Sequence, residues 1–325
     1  MERQQVAHTK VFIIIVNWNG KETLKQCLTS ILKYTTTPEF QIIVVDNGST
    51  DQSVKMLQQE FPTVNIIRNE GNLGFSKANN QGIKYAANHG AEYYLLLNND
   101  VLVSQEDWLA RMIGLIESDK TIGMVGCKLV YPDGRIQHAG GLVHVAGAGH
   151  RGDGERDTRQ YDRVEFVDYV TGAALLTEAE VIRKIGLLDE GFTPLYFEDT
   201  DWCLRARYCG YKIAYTPNPT LIHNQGSSAK TLKRRNTVFY FKRSWIRFFL
   251  LNFQLKAIVK RLVFYETVEL LACFVDRSPK GKLPLKVRLD YPKLTLLEKV
   301  WMINLRNLKD IFAKRKQRFG CRKNI

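Results

Sequence analysis

Residues 11–20 read V-F-I-I-I-V-N-W-N-G, and this stretch decides the fold. Its first six residues are apolar, and all of them except Phe12 are β-branched. A short continuous aliphatic run of this kind is typical of a strand buried on both faces of a parallel sheet. The run stops abruptly at Asn17, where asparagine and glycine are the residues that begin a turn. We therefore expect a central strand with a polar group at its carboxyl end.

The same pattern continues outward from this strand to about residue 130. Short aliphatic runs alternate with helix-compatible stretches, as in βαβ units. The predicted strands cover residues 11–16, 41–45, 64–67 and 93–97, and the predicted helices cover 21–33, 52–60 and 76–88. The alternation predicts an α/β fold with a mostly parallel sheet between helices.

Residues 131–165 have a different composition, with clustered glycines and charges. Long segments without regular structure are usually binding loops or lids, so we predict an irregular, partly mobile insertion here. A second ordered block is expected from residue 167 to about 223.

The charge of the chain is unevenly distributed. The 325 residues are 45% apolar and carry a net charge of +14, but residues 228–325 hold 25 Lys and Arg against 6 Asp and Glu. Residues 1–227 have a net charge of −5. We therefore predict two domains, an acidic α/β body over 1–227 and a basic, mostly helical region over 228–325.

The cysteines and the amino terminus indicate a reducing compartment. The six cysteines form no C-x-x-C pair and no dense framework, which argues against a disulfide-stapled secreted domain. Residues 1–10 are polar and lack the apolar core of a signal peptide, and no apolar run approaches the 18 or so residues that span a bilayer. The expected location is the cytoplasm.

Four strand ends in succession carry polar signatures. They read N-W-N-G at 17–20, D-N-G-S-T-D at 46–51, N-E-G-N-L-G-F at 69–75 and N-N-D at 98–100. Any one of them could equally well result from the preference of Asn, Asp and Gly for turns as from a binding site. Because ligands of open α/β sheets bind beyond the carboxyl ends of the strands, the four together predict a binding site.

These motifs, followed by F-E-D-T-D-W-C-L-R at 197–205, resemble the family 2 inverting glycosyltransferases of the GT-A fold. The similarity covers residues 10–225 and is greatest to the rhamnosyltransferase-like branch of bacterial polysaccharide synthesis. It implies a Rossmann-like mixed sheet and transfer of a sugar from a nucleotide-diphosphate donor. The implied donor is dTDP-rhamnose or a UDP-hexose, and the implied acceptor is a growing, lipid-linked glycan.

The donor side of the expected site follows from these motifs. The Trp18 ring offers a face for stacking a pyrimidine, and the Asp46 carboxylate can accept from the N–H of the base. The helix that begins near Phe75 would place its positive end toward the diphosphate. The predicted donor-binding residues are Asn17, Trp18, Asp46, Asn72, Gly74, Phe75, Asn79, Asn99 and Gly172.

A divalent cation, Mg²⁺ or Mn²⁺, is expected on the same side. Family members typically have D-x-D where this chain has N-N-D, so only the last acid, Asp100, remains as a metal ligand. By position in the motif order, His223 is the second implied ligand. A lone histidine is also compatible with a purely structural role.

The acidic segment at 198–201 is the expected catalytic centre. Inverting transfer needs one base to accept the proton of the attacking hydroxyl, and the family motif implies Asp199, with Glu198 as its rival. Asp201, Trp202 and His138 are predicted on the acceptor side, although the acids also suit the cap of the following helix.

The basic region carries aromatic residues between lysines and arginines over 239–274. A basic amphipathic helix with Trp and Phe on its apolar side predicts an anionic membrane surface as partner. The competing interpretations are a helix packed on the catalytic domain and a nucleic-acid binding segment, of which the second lacks any recognisable motif.

The sequence thus predicts a cytoplasmic, peripheral membrane glycosyltransferase. Two alternatives stay open: a sugar nucleotidyltransferase and a non-catalytic, sugar-nucleotide-binding scaffold with a tethering tail. A nucleotidyltransferase would need a basic, glycine-rich phosphate loop after the first strand, and residues 17–20 contain none.

Overall fold

A computed structural model describes residues 10–144, 147–224, 234–261 and 291–322. The chain divides into two compact units, the first made of residues 1–143 and 148–233, and the second made mainly of residues 234–324. The predicted boundary after residue 227 lies outside the described residues.

The strands of the chain, in order, are β1 (Val11–Asn17), β2 (Phe40–Asp46), β3 (Asn65–Arg68), β4 (Tyr93–Asn98), β5 (Val101–Leu102), β6 (Ile122–Val130), β7 (Ile136–His138), β8 (Gly141–His144), β9 (Gly147–His150), β10 (Glu165–Val167), β11 (Ala174–Glu178) and β12 (Lys212–His223). The helices of the first unit are α1 (Lys21–Tyr34), α2 (Ser53–Glu60), α3 (Phe75–Asn88), α4 (Trp108–Ser118), α5 (Ala179–Ile185) and α6 (Glu198–Tyr208), with a 3₁₀ turn at Glu190–Phe192.

Ten strands of the described residues form one mixed sheet, whose main path is β10-β12-β6-β11-β4-β1-β2-β3. The path from β4 to β3 is parallel, whereas β11 runs antiparallel to both β4 and β6. The predicted mixed, mostly parallel α/β architecture is confirmed.

The core of this unit explains why β1 lies at the centre of the sheet. Residues 11–15 of β1 are completely buried, because helices cover both faces of the strand. Gly82 of α3 permits the close approach on one face, since a Cβ there would lie 2.4 Å from Ile14 Cγ2. The register aligns Asn17 with Asp46 and Val16 with Asn98, so the polar strand ends meet at one edge.

The segment 131–165 is more ordered than the sequence predicts. It contains β7, the β8–β9 pair and the start of β10 at Glu165. Lys128, 3% exposed, anchors it through its ammonium group, which lies 2.9 Å from Asp157 Oδ2 and 2.5 Å from Asp162 Oδ1. Arg151 pairs with Glu165 at 2.5 Å. Residues 151–164 are irregular as predicted, whereas β7, β8 and β9 were not predicted, and the mobility of the segment stays a prediction. The ion pairs join distant positions and therefore leave no trace in local composition.

The second unit contains α7 (Arg234–Asn252), α8 (Leu255–Arg261), α9 (Tyr291–Arg306) and α10 (Leu308–Arg322). Helix α7 packs against α9 and α10, and an ion pair of 2.6 Å joins Arg247 to Asp310. The aromatic residues Trp245, Phe248 and Phe249 are buried, 0–7% exposed. They therefore belong to a core, and their predicted place on a membrane-facing side is wrong. Residues 262–274 of that predicted segment lie outside the described residues.

Within the described ranges, no helix combines the length and the apolar character needed to cross a bilayer.

Candidate active site

The ends of β1, β2 and β4 are joined by a network of buried amides and a carboxylate. Asn17 Nδ2 donates to Asp46 Oδ1 at 3.1 Å, and Asn99 Nδ2 donates to Asn17 Oδ1 at 2.7 Å. All three residues are at most 5% exposed. Gly20 is required beside them, since a Cβ there would lie 2.4 Å from Asn99 Nδ2. These side chains fix the edge of the sheet, and donor contact by them stays a prediction.

Asp46 also holds the loop that follows β2. Its Oδ2 accepts from the Ser49 N–H at 2.9 Å, while Ser49 Oγ accepts from the Asn19 N–H at 2.9 Å. The two loops after β1 and β2 are thereby tied together around Trp18, which is half-buried and keeps part of its ring accessible. Asp46 itself is fully buried, so its contact with a base stays a prediction that requires this loop to move.

The turn before α3 is built around glycine. Gly74 has a φ of +82°, and the Asn72 side chain accepts from its N–H at 2.9 Å. The first N–H of the helix, that of Phe75, donates to Pro194 O at 2.9 Å. Asn79 is 1% exposed and donates to Phe75 O at 3.0 Å. Asn72 and Phe75 remain accessible for a donor, whereas Asn79 serves the helix.

The two predicted metal ligands lie side by side. His223 Nε2 is 3.0 Å from Asp100 Oδ1, because β12 pairs with β5 directly after the N-N-D motif. His223 Nδ1 faces Gln137 Oε1 at 2.5 Å, and the Gln137 amide donates back to His223 O at 3.4 Å. An amide oxygen can only accept, so Nδ1 carries the proton and Nε2 keeps its lone pair in the neutral ring.

This pair of groups fits a divalent cation. When the ring is neutral, its Nε2 lone pair and the Asp100 carboxylate oxygen, 3.0 Å apart, can both bind one cation, and when the ring is protonated the same two atoms form a direct ion pair. No group of three or more His, Cys, Asp or Glu residues is arranged for a metal within the part of the chain that the structure describes. Mg²⁺ and Mn²⁺ sites of nucleotide enzymes commonly combine few protein ligands with phosphate oxygens. Asp100 and His223 suit such a shared site.

Asp199 lies at the start of α6 with both carboxylate oxygens oriented. Oδ2 accepts from the Gly172 N–H at 2.8 Å, and Oδ1 accepts from the Thr200 N–H at 2.6 Å. Asp199 is partly exposed, unlike the acids beside it. Gly172 allows the Phe75 ring to approach, since a Cβ there would lie 3.1 Å from Phe75 Cζ. One accessible, oriented carboxylate is what a general base requires.

The backbone before Asp199 is strained. Tyr196 and Phe197 have φ values of +81° and +71°, a region that bulky residues rarely adopt. Such outliers persist where the surrounding structure fixes them, and they concentrate at functional sites.

The neighbouring residues of the motif have structural positions. Asp201 is fully buried and pairs with Arg205 at 3.1 Å. Trp202 is fully buried and donates from Nε1 to Gly186 O at 2.8 Å. Glu198 is 6% exposed and begins α6. Asp201 and Trp202 therefore have no surface for an acceptor in this conformation, and we leave them out of the proposed site.

His138 is 1% exposed and does not reach solvent either. Its Nδ1 lies 2.8 Å from His150 Nδ1, and both rings pack against Tyr169 with centroid distances of 5.9 and 5.8 Å. Burial, reinforced by the charges of His150, Arg151 and His223, lowers the pKa of His138 well below its ordinary value. His150, at the end of β9, is the exposed member of the pair.

The metal-ligand pair and Asp199 lie on adjoining segments. The Asn98 N–H donates to Ala173 O at 3.0 Å, which places the end of β4 beside the Thr171–Ala174 turn. Sequence reasoning missed Gln137 as the partner of His223 and His150 as the partner of His138. Gln137 is the first residue of the sequence Q-H-A-G-G at 137–141, directly before His138, but its partner is 86 positions away. His150 lies in none of the motifs of the sequence.

Comparison with known proteins agrees with this geometry. Residues 12–180, just over half of the chain, match the family model described as Glycosyl transferase family 2. The O-antigen biosynthesis protein RfbC of Myxococcus xanthus is 29% identical over 231 residues, which cover 68% of this chain and 18% of that protein. The chain therefore spans less than a fifth of that relative.

Another relative is the N-acetylglucosaminyl-diphospho-decaprenol L-rhamnosyltransferase of Mycobacterium tuberculosis. It is 23% identical over 239 residues, covering 66% of this chain and 76% of that protein. Among solved structures, GalNAc-T7 with UDP, GalNAc and Mn²⁺ superposes with a TM-score of 0.61 at 17% identity, covering 91% of this chain and 55% of that one. This likeness confirms the GT-A type of fold. Because the family model matches more than half of the chain, the chain belongs to glycosyl transferase family 2.

Proposed function

We propose that the protein transfers a sugar, with inversion, from a nucleotide-diphosphate donor to a hydroxyl of a growing cell-surface polysaccharide. The observation that carries the proposal is Asp199, an accessible carboxylate held by the Gly172 N–H beside a candidate metal pair. dTDP-rhamnose is the leading donor and UDP-hexoses follow. The rhamnosyltransferase name of the Mycobacterium relative supports rhamnose and a lipid-linked acceptor.

In this mechanism Asp199 removes the proton from the acceptor hydroxyl as its oxygen attacks the anomeric carbon. The bond to the diphosphate breaks on the opposite face of the sugar, and the proton remains on Asp199. One displacement inverts the configuration, so no covalent enzyme intermediate is needed. The Gly172 N–H fixes Oδ2 during the step, which keeps the carboxylate in one orientation.

Asp100 and His223 would hold a divalent cation together with the diphosphate. When bound, the cation neutralises charge on the leaving diphosphate. The Mn²⁺ in the GalNAc-T7 structure supports this choice of metal. Gln137 would orient the His223 ring, and Trp18 would stack on the base of the nucleotide.

The decisive experiment compares Asp199→Asn with the wild-type protein in sugar transfer. We expect a loss of at least about a hundredfold in kcat, because general-base catalysis contributes about 10²–10⁴-fold. Nucleotide-sugar binding should be retained, and a shift in thermal stability with dTDP, UDP and GDP sugars would identify the donor. Transfer by Asp199→Asn at the wild-type rate would overturn the mechanism. Absence of transfer by the wild-type chain with every donor bound would favour the scaffold alternative.

The metal role has a separate test. Asp100→Ala and treatment with a chelator should each reduce transfer, and added Mn²⁺ should restore only the chelated wild-type protein. Activity that survives both treatments unchanged would remove the cation from the mechanism.

We also propose that the protein associates peripherally with an anionic membrane, on the cytoplasmic side. The basic region carries exposed apolar side chains at Leu255, Val259 and Phe312, which are 52–68% exposed. Lys256 and Lys260 are exposed beside the first two. Apolar insertion and about 1 kcal/mol for each lysine near an anionic leaflet would both contribute to reversible binding.

Flotation with anionic liposomes tests this association. Combined Leu255→Ser and Phe312→Ser should reduce binding, whereas Phe166→Ser, an equally exposed phenylalanine of the first unit, should not. Equal flotation of all three proteins would refute the membrane assignment.

A further inference from the structure

The pair His138 and His150 lies outside the transfer mechanism described above. The two rings meet edge to face, with centroids 4.6 Å apart and an interplanar angle of 75°, and their Nδ1 atoms are 2.8 Å apart. Two ring nitrogens at this distance must share one proton, because two donors or two acceptors would repel each other. The hydrogen bonds around His138 decide which ring carries it.

His138 donates in this pair. Its Nε2 faces the Thr171 N–H at 3.4 Å, and a backbone N–H can only donate, so Nε2 must accept. The neutral ring has one proton, which therefore lies on Nδ1. The low pKa of His138, caused mainly by burial, keeps the ring in this neutral form. The proton of His138 is consequently directed at His150 Nδ1.

His150 must then accept at Nδ1 and carry its own proton on Nε2. That nitrogen has no hydrogen-bond partner within the described part of the chain, and the residue as a whole is exposed although one side of its ring packs against His138 and Tyr169. Burial of the ring lowers the pKa of His150, and the carboxylates of Asp199 and Asp153 oppose this effect. His150 therefore presents a fixed N–H donor. Its partner His138 faces the Thr171 N–H, and the N–H of the next residue, Gly172, holds Asp199 Oδ2.

We propose that His150 is an acceptor-binding residue whose Nε2–H donates to a sugar hydroxyl, with His138 as the positioning residue that sets its tautomer. A sugar hydroxyl both donates and accepts, and neighbouring hydroxyls of one ring can engage a donor and a carboxylate together. Asp199 and His150 supply these complementary groups. This inference rests on the proposed function, since it assigns the acceptor to the side of Asp199.

The tautomers can be measured directly on the full-length protein without any substrate. Long-range proton–nitrogen correlation spectra of the ¹⁵N-labelled chain distinguish Nδ1–H from Nε2–H rings, and His138→Gln and His150→Gln assign the two signals. At neutral pH we expect Nδ1–H for His138 and Nε2–H for His150. In His138→Gln the His150 ring should become a mixture of tautomers. An Nδ1–H tautomer for His150 in the wild-type protein would overturn the proposal.

Steady-state kinetics test whether His150 binds the acceptor. His150→Phe keeps an aromatic ring against Tyr169 but removes the donor, so the KM for acceptor should rise about tenfold. The KM for donor and the slow hydrolysis of donor by water should change less than about twofold. His144→Phe, an exposed histidine of β8, is the matched control. An unchanged acceptor KM, or an equal loss of donor hydrolysis, would refute acceptor binding by His150.

These readouts separate the two proposals. If the wild-type chain transfers no sugar, the proposed function fails, and the tautomer measurement still decides the arrangement of the two histidines. If transfer is normal and depends on Asp199 but not on His150, only the present inference fails.

Discussion

Replacement of Lys128 by methionine tests whether one buried ammonium group orders the segment 151–165. The side chain is 3% exposed, and its partners Asp157 and Asp162 are 25% and 41% exposed. Breaking a fully buried ion pair costs about 3–5 kcal/mol. Because water can hydrate both carboxylates once the lysine is gone, we expect a smaller loss, about 2 kcal/mol in the free energy of unfolding.

For a domain of this size, about 2 kcal/mol corresponds to a decrease of about 4–8 °C in melting temperature. Calorimetry and urea denaturation measure the loss, and hydrogen exchange over 151–165 should accelerate. Lys55→Met removes an exposed lysine and serves as the control. Surface substitutions usually change the free energy of unfolding by less than about 0.5 kcal/mol. If the free energies of unfolding of Lys128→Met and Lys55→Met differ by less than this, the proposed anchoring is refuted.

The stability difference between the wild-type protein and Lys128→Met should depend on pH in one direction. Burial raises the pKa of Asp157, but the bond to Lys128, the Arg159 N–H and the charges of both residues together outweigh it and leave the pKa below its ordinary 3.8. A lowered carboxyl pKa stabilises the fold above the unfolded value and loses this effect as the pH falls. The stability difference between the wild-type protein and Lys128→Met should therefore be constant near neutrality and shrink below about pH 4.

Three further predictions concern the site. Gly172→Ala places a Cβ 3.1 Å from the Phe75 ring, so the rate of transfer should fall about tenfold. The free energy of unfolding should change by less than about 1 kcal/mol. Unchanged steady-state rates would contradict this prediction. Gln137→Leu removes the partner of His223 Nδ1, so calorimetric titration with Mn²⁺ and nucleotide should show about tenfold weaker metal binding, whereas Gln137→Glu should retain it. Gly20→Ala forces a contact of 2.4 Å and should destabilise the fold by about 1–3 kcal/mol in urea; a neutral effect would refute the packing argument.

The strands and helices over residues 11–98 could be predicted because their order depends on local patterns. The run at 11–16 specifies β1 through its own composition, and the polar residues after each strand mark one edge of the sheet. The insertion of β11 between β4 and β6 could not be predicted in this way. Its pairing joins Leu175 to Gly126, almost fifty positions apart, and no periodicity reports such a contact.

The residues of the candidate site likewise fall into those recognised by local motifs and those defined by long-range contacts. Asp100, Asp199 and His223 belong to motifs, so their types and order are visible in the sequence. Gln137 and His150 contact partners that only the fold brings near them. Aromatic residues of α7 were misplaced for a related reason, because a buried helix face and a membrane-facing one have the same composition.

The strained backbone at Tyr196 and Phe197 has a consequence for protein engineering. Glycine adopts positive φ without steric penalty, whereas a bulky residue held there costs about 1–3 kcal/mol. A search for thermostable variants would therefore select glycine at Tyr196. A bulky residue in this region has few other conformations available, so it keeps the turn in front of Asp199 from drifting. Variants that melt at higher temperature through glycine at Tyr196 should lose catalytic rate, and the site would resist optimisation for stability and speed at the same time.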